Sequence, residues 1–217
     1  MFGTSVYERS GSNTMTRNSF YFVMGCILTW GFLATHIVSS MTANWKPGIL
    51  MFLLVGLAIP LVGIFMSLSD SALVSFVGFN LVVVPFGAIL GPTLAAYELA
   101  QLGIVSQAAM LTGSVTGVMA LSGLLFPDFY RSIGGALFGA LSALLIVLVI
   151  SMFVPALMGF TIIHYIAAGI FALYIGYDMH RASEIPATLD NAVDVCISLY
   201  LDIINLFLWI LRISKNN

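Results

Sequence analysis

The sequence predicts an all-α polytopic membrane protein, a bundle of seven transmembrane helices. Hydrophobic residues make up 60% of the 217 positions and charged residues only 7%, a composition that soluble domains do not have. Seven apolar runs, each close to the roughly 20 residues that cross the hydrocarbon core, follow one another with short polar breaks. Polar residues at every second position, as in a membrane barrel, are absent from the sequence, so each run is expected to be helical.

The spans are predicted in this order: 19–40, 47–68, 71–97, 103–126, 133–154, 156–180 and 191–213. The breaks fall at 42–46, 69–70, 98–102, 127–132 and Pro155, and the last one at 181–190. None of them is long enough to hold a second domain. We therefore expect a polar N-terminal tail at 1–18, one transmembrane domain at 19–213 and a C-terminal tail at 214–217. The first run has no evident signal-cleavage pattern and is expected to be retained.

Charge and cysteine content exclude several function classes. A formal charge of −2 provides no basic surface for nucleic acid, so no nucleic-acid partner is expected. Cys26 and Cys196 lie in apolar stretches without metal-ligand spacing, and neither a cofactor nor an enzymatic activity is expected. An inside N terminus places four basic residues inside and three outside. If the last segment does not cross fully, the count becomes six against one, and the sequence is compatible with both topologies.

Small residues and prolines give expectations about packing. Three glycine pairs spaced by four residues predict close helix packing: Gly87 with Gly91, Gly113 with Gly117, and Gly135 with Gly139. Pro85 and Pro92 interrupt the third span and predict a kink. Packing explains such a kink better than a cavity does.

Two aspartates stand inside predicted spans, Asp178 near the end of the sixth and Asp202 in the middle of the seventh. A charge there costs at least about 2.5 kcal/mol, so an intramembrane carboxylate indicates function by default. Arg181, one turn after Asp178, is an alternative local partner that would explain Asp178 without any function. His164 lies about 21 Å along the helix from Asp178 and is not expected in the same site.

The seventh span has one polar face. Its members follow one another by three or four residues: Asn191, Asp194, Ser198, Asp202, Asn205, Trp209 and Arg212. Such a face avoids lipid and turns toward the bundle interior or a water-filled path, so Asp194, Ser198 and Asn205 are candidates for a cation pathway. The alternative is that the face only bonds neighbouring helices together.

The sixth and seventh spans are expected to be antiparallel neighbours that bring Asp178 and Asp202 together. Two carboxylates a few ångströms apart in a low dielectric do not both carry a charge cheaply, so we expect them to share one proton. Loss of that proton would add repulsion of about one to several kcal/mol. The pair is therefore predicted to be a pH-dependent latch.

The last spans resemble those of a known family. Ser198 to Phe207 reads SLYLDIINLF and is followed by Leu211-Arg212, Tyr177-Asp178 ends the sixth span, and Gly91-Pro92 lies in the third. This pattern is similar to bacterial members of the transmembrane Bax inhibitor motif (Bax inhibitor-1-like) family. The resemblance implies a central seventh helix, a pH sensor formed by Asp178 and Asp202, and calcium leak, with the chain in the bacterial inner membrane.

One departure keeps other functions open. Relatives with a described pore have an acidic residue in the second span and a basic residue at its end, whereas 47–68 is uncharged. The alternative is a non-conducting regulator that binds a membrane-anchored protease or a stress or cell-survival partner. If the chain conducts, its partners are the lipid bilayer and calcium ions or protons, and Asp178 with Asp202 would bind calcium weakly and transiently.

Two further classes rank lower. An intramembrane aspartyl protease also has one aspartate in each of two spans, but Tyr200 and Leu201, rather than glycine, precede Asp202. A proton-linked carrier also fits a lone membrane carboxylate.

Overall fold

The computed structural model describes residues 14–215. This part of the chain contains seven helices long and apolar enough to cross a membrane. They are α1 Arg17–Met41, α2 Ile49–Met66, α3 Ala72–Ala100, α4 Ile104–Leu125, α5 Pro127–Ser151, α6 Thr161–Glu184 and α7 Leu189–Lys215. No strand occurs within 14–215. The predicted all-α class with seven spans is confirmed, and α7 is long enough to cross completely.

Helix α5 begins earlier than predicted. Residues 127–132, predicted as a break, form its first turns. Pro127 occupies the first helical position, where its fixed φ suits the helix and its missing N–H is not needed. The negative charge of Asp128 in the same turn is stabilised by the positive end of the helix dipole. Its carboxylate oxygen lies 3.6 Å from a guanidinium nitrogen of Arg131. Pro127 and the charged residues after it therefore begin a helix and do not form a loop.

The last two helices also differ in their ends. Pro155–Gly159 forms a short 3₁₀ helix, and α6 starts only at Thr161 but continues to Glu184. The connection to α7 is therefore limited to 185–188 instead of the predicted 181–190. Polar residues at the end of α6 extend the helix because Arg181 and Glu184 have good helix propensity.

Two features of the backbone explain other boundaries. Gly103 has φ +82°, a left-handed conformation that glycine adopts without strain, and it separates α3 from α4.

Helix α2 contains a π-helical turn at Leu54–Ala58, just before Pro60, which lacks the N–H that an α-helix needs at that point. Helix α3 continues through Pro85 and Pro92.

The chain divides into two compact units. The first comprises the described residues up to Ala100 together with Glu184–Tyr200, and the second comprises Gln101–Ser183 with the residues from Leu201 onward. Helix α7 supplies residues to both units and is the most buried of the seven. In α7, 72% of an 18-residue window is buried, against 44% in α3 and less in the others.

In the first unit, glycines let α3 approach its neighbours. A Cβ added at Gly87 would lie 2.9 Å from the Thr35 carbonyl oxygen, and one at Gly91 would collide with Thr42. Gly63 and Gly78 meet in the same way, each within 2.5 Å of the other's carbonyl oxygen once a Cβ is added. The packing predicted for Gly87 and Gly91 is confirmed.

The other two glycine pairs do not pack. A Cβ added to any of four glycines meets no described atom within 4 Å: Gly113, Gly117, Gly135 and Gly139. Their predicted role in close packing within the chain is wrong, since spacing by four residues puts two glycines on one face without saying which way that face points.

Polar contacts hold one end of the first unit. The Arg17 guanidinium donates to the carbonyl of Ile185 at 3.0 Å, and the Met15 N–H donates to that of Ala187 at 2.8 Å. The Ser75 hydroxyl donates to Asp190 at 2.9 Å. The start of α7 is thereby tied to the starts of α1 and α3.

Candidate functional site

The second unit brings the two intramembrane aspartates together. The side chains of Asp178 on α6 and Asp202 on α7 form a hydrogen bond with each other. Asp178 is 7% exposed, and Asp202 is half-buried. Asp178 lies six residues before the end of α6, and Asp202 lies 13 residues after the start of α7. The resulting offset of about 10 Å along the helices does not prevent the contact.

Close backbone packing fixes α6 just before Asp178. Gly176 lies against the ring of Tyr130, so that an added Cβ would collide with the phenol, and Gly123 of α4 packs on the Gly176 backbone. The hydroxyls of Tyr130 and Ser122 form a hydrogen bond of 2.5 Å. Asp178 follows Gly176 by two residues, so these contacts set its position along α6.

Two tyrosines flank the pair on α6. Tyr174 is close enough to Asp178 and Asp202 for electrostatic interaction with both. Its ring contacts that of Tyr177 edge-on with centroids 6.3 Å apart, and Tyr177 packs against Gly134 of α5. Tyr174 is four residues before Asp178, a spacing that places the two side chains next to each other on α6, and Tyr177 contributes through its contact with the Tyr174 ring.

Arg181 also belongs to the surroundings of the pair. It is half-buried and close enough to Asp178 for a Coulombic attraction. Both predicted partners of Asp178 are therefore present, and the alternative of a purely local role with Arg181 stays a prediction beside the paired one. One cation near two carboxyl groups compensates a single negative charge but not two.

A cavity of about 390 Å³ lies beside the pair, between α5, α6 and α7. Its apolar wall includes Phe171 and four leucines of α5, and its polar side is formed by Asp202, Asn205 and Arg212. Asn205 was a predicted pathway residue and lines this cavity. The α5 wall was not predicted, because its only signal in the sequence is four leucines that share one face of the helix.

The other two pathway candidates lie elsewhere on α7. Asp194 is 6% exposed and Ser198 is half-buried, and both belong to the first unit. The cavity of the second unit is not lined by either of them. Their part in a cation pathway stays a prediction.

His164 does not line this cavity, but it contacts Trp209, which does. Its buried ring lies 5.6 Å from the indole of Trp209, centroid to centroid. The guanidinium of Arg212 lies over the same Trp209 ring, 4.6 Å from its centroid. As expected, His164 packs on α7 instead of contributing to the aspartate pair.

The predicted calcium binding depends on how many oxygen ligands the site offers. Within 14–215, no group of three or more His, Cys, Asp or Glu side chains is arranged to hold a metal ion. Two carboxyl groups supply fewer oxygens than the six to eight that calcium takes. Weak, transient binding at Asp178 and Asp202 stays a prediction. Cys26 and Cys196 are both free thiols.

Comparison with known proteins gives matches over nearly the whole chain. The model of the family Bax1-I, described as "Inhibitor of apoptosis-promoting Bax1", matches residues 12–217. A protein of Helicobacter pylori strain J99 is 31% identical over 187 residues, which cover 85% of this chain and 70% of the relative. A protein of strain 26695 is 30% identical over the same shares of both chains. Both relatives carry the description "Uncharacterized protein".

Proposed function

Because this chain belongs to the family of Bax inhibitor-1-like proteins, we propose that it is a pH-sensitive cation leak pathway, with calcium as the preferred ion. It is a multi-pass integral membrane protein, and we assign it to the bacterial inner membrane. The observation that carries the proposal is the hydrogen-bonded pair of Asp178 and Asp202 beside a cavity that Asp202 lines.

The latch works through the shared proton. While one proton lies between the carboxyl groups, the pair joins α6 to α7 and carries one negative charge at most, which Arg181 compensates. When the proton leaves, two carboxylates face each other in a setting with few counter-charges, and the repulsion amounts to about one to several kcal/mol. That energy is enough to change the populations of two helix arrangements by tenfold or more.

Oxygen donors at the cavity favour a hard cation. Asp202 and Asn205 both line it, and the amide nitrogen of Asn205 donates to the Leu201 carbonyl at 2.7 Å. This bond orients the Asn205 side chain and leaves its amide oxygen as a further ligand. Calcium prefers such carboxylate and amide oxygens, and a small number of them gives the weak binding that conduction requires.

Flux measurements test the proposal. Purified protein in liposomes is expected to admit calcium, detected by a trapped indicator dye, at a rate that changes between about pH 5 and pH 8. Asp202→Asn removes the second titratable group and is expected to abolish the pH dependence. Asp128→Asn, which makes the same chemical change at an exposed position, is the matched control and should behave as the parent. Flux equal to that of empty liposomes at every pH would contradict the proposal.

A second candidate function is a non-conducting regulator. The uncharged second span Ile49–Met66 supports it, since no carboxylate or cation on that helix is available for a gate. The partner would be a membrane-anchored protease or a stress or survival protein. Affinity purification from native membranes tests this candidate: a partner recovered equally well with Asp178 and Asp202 both changed to Asn, together with absent flux, would favour it over the leak.

We propose no catalytic role for the pair. Tyr200 is fully buried and Leu201 is half-buried directly before Asp202, so bulky side chains occupy the positions where a protease would let a substrate backbone approach. A single-span reporter protein is expected to remain uncleaved in the same liposomes. Cleavage that either Asp→Asn variant abolishes would overturn this assignment.

A further inference from the structure

The cavity beside the pair has the form of a crevice between α5 and α7, here called the α5–α7 crevice. Its apolar wall is one face of α5, where four leucines follow one another at helical spacing. They are Leu141, Leu144, Leu145 and Leu148. Leu145 is 53% exposed and Leu144 is buried, so the crevice runs from the outer surface of α5 inward. An apolar wall of this kind accommodates a hydrocarbon chain.

The length of the crevice along α7 corresponds to one leaflet of a bilayer. Its lining on α7 extends from Leu201 to Arg212, eleven residues or about 16 Å of helix. That distance is close to half of the hydrocarbon thickness of about 30 Å. Arg212 and Lys215 are the basic residues of the last turn of α7, and basic side chains near the end of a membrane helix reach the interface, so we expect the crevice to open at the membrane boundary and to end near mid-depth.

A cation stands at the boundary end of the crevice. The Arg212 guanidinium lies over the ring of Trp209 at 4.6 Å, a cation–π contact that holds it in place. Arginine keeps its charge and offers several N–H donors in a fork that matches phosphate oxygens. Lys215 is one turn further toward the end of α7 and adds positive charge outside the crevice.

We propose that the α5–α7 crevice binds an anionic phospholipid of the surrounding bilayer. The headgroup phosphate bonds to Arg212, and one acyl chain lies along the leucine face of α5. Charge complementarity selects the lipid class, since a zwitterionic lipid makes the same acyl contacts but brings its own cation to a site that already has one. This site shares its cavity with the proposed cation leak, but lipid binding does not require conduction, so the two proposals can fail separately.

Fluorescence of Trp209 can report the bound lipid. The chain has three tryptophans, and changing Trp30 and Trp45 to Phe leaves Trp209, which lines the crevice, as the only one. The protein is placed in mixed vesicles of phosphatidylglycerol and phosphatidylcholine, with brominated acyl chains on one lipid or the other. Bromine quenches the indole on close contact, so the ratio of the two quenching curves measures lipid preference.

The proposal predicts about a fivefold preference for brominated phosphatidylglycerol. Arg212→Gln should reduce the preference to about one, whereas Lys215→Gln, which removes the same charge outside the crevice, should retain it. Because the preference is a ratio within each variant, altered Trp209 emission does not affect it. Leu145→Phe, which leaves both charges in place, should reduce quenching by both lipids.

Three results would overturn the proposal. Equal quenching by the two brominated lipids in the parent would show no selection by charge. Equal loss of preference in Arg212→Gln and Lys215→Gln would show general surface attraction rather than a site. Unchanged quenching in Leu145→Phe would show that the acyl chain lies outside the crevice. Circular dichroism of each variant confirms that it is folded before the ratios are compared.

Discussion

Two polar side chains two residues apart on α7, one fully buried and one half-buried, form hydrogen bonds of different kinds. Tyr200, in the first unit, is fully buried among Phe32, Phe79 and Phe86, and its hydroxyl forms a 2.6 Å hydrogen bond with Thr35. Asp202, in the second unit, bonds to another acid.

The two hydrogen bonds differ in whether their strength depends on pH. Both partners of the Tyr200–Thr35 bond are neutral hydroxyls at physiological pH, so this contact stabilises the first unit equally across the range. In the latch that we propose, the Asp178–Asp202 contact depends on one proton. Helix α7 would then carry one contact that pH does not change and one that it does, and only the second could act as a switch.

Gly176→Ala should give the largest effect, because it displaces α6 directly beside the titratable contact. The added Cβ collides with the Tyr130 ring, and such overpacking costs about 1–3 kcal/mol. Thermal unfolding in detergent should show a lower midpoint, and the pH dependence of flux should weaken as Asp178 shifts. Gly139→Ala, where a Cβ meets nothing within 4 Å, is the control and should leave both unchanged. Similar effects in both variants would contradict the role of Gly176.

Asp202→Asn should separate the two contacts by their response to pH. If the pair shares a proton as we propose, the folded chain retains at neutral pH a proton that the unfolded chain releases, so the free energy of unfolding falls as pH rises. The slope is up to about 1.4 kcal/mol per pH unit for one such proton. In the variant this slope should disappear, because Asn cannot ionise and can donate to Asp178. Unfolding midpoints between about pH 5 and pH 8 provide the measurement.

Asp128→Asn serves as the control for that experiment too, since its carboxyl group is exposed. A parent midpoint that does not change with pH would contradict the shared proton, whether or not flux is observed.

Tyr200→Phe should give the smallest effect and no pH dependence. It removes the hydroxyl but keeps the ring among its aromatic neighbours, at a cost of about 1 kcal/mol for one neutral buried hydrogen bond. The loss should be equal at every pH tested. Thr35→Val removes the other partner of the same bond, and a double variant that is no worse than the single ones would confirm that they share it.

The seven spans could be predicted because their hydropathy is sufficient to identify them. The ends of the helices were harder to predict, because the same residue types occur at helix starts and in loops. Pro127 and Asp128 looked like a break and were the first turn of α5. The aspartate pair could also be predicted, since a carboxylate inside a span is costly enough to demand a partner.

The remaining parts of the site depend on which way a helix face points. Leu144 and Leu148 line the crevice, yet lipid-facing leucines have the same spacing, and the sequence does not distinguish the two. The same limit explains the error for Gly135 and Gly139. In a membrane helix both inner and outer faces are apolar, so hydropathy loses the directional information that it has in soluble proteins.

The widened turn at Leu54–Ala58 makes α2 tolerant of a change in length. Removing one residue there would restore regular winding and leave the direction of the preceding segment, Ile49–Leu53, nearly unchanged, because a π-helical turn holds one residue more than an α-helical turn. Every side chain of that segment is also at least 45% exposed, so a small residual rotation would exchange one apolar outward surface for another. Such a deletion should therefore be accepted at this place, whereas one in α7 would take Asp202 out of reach of its partner.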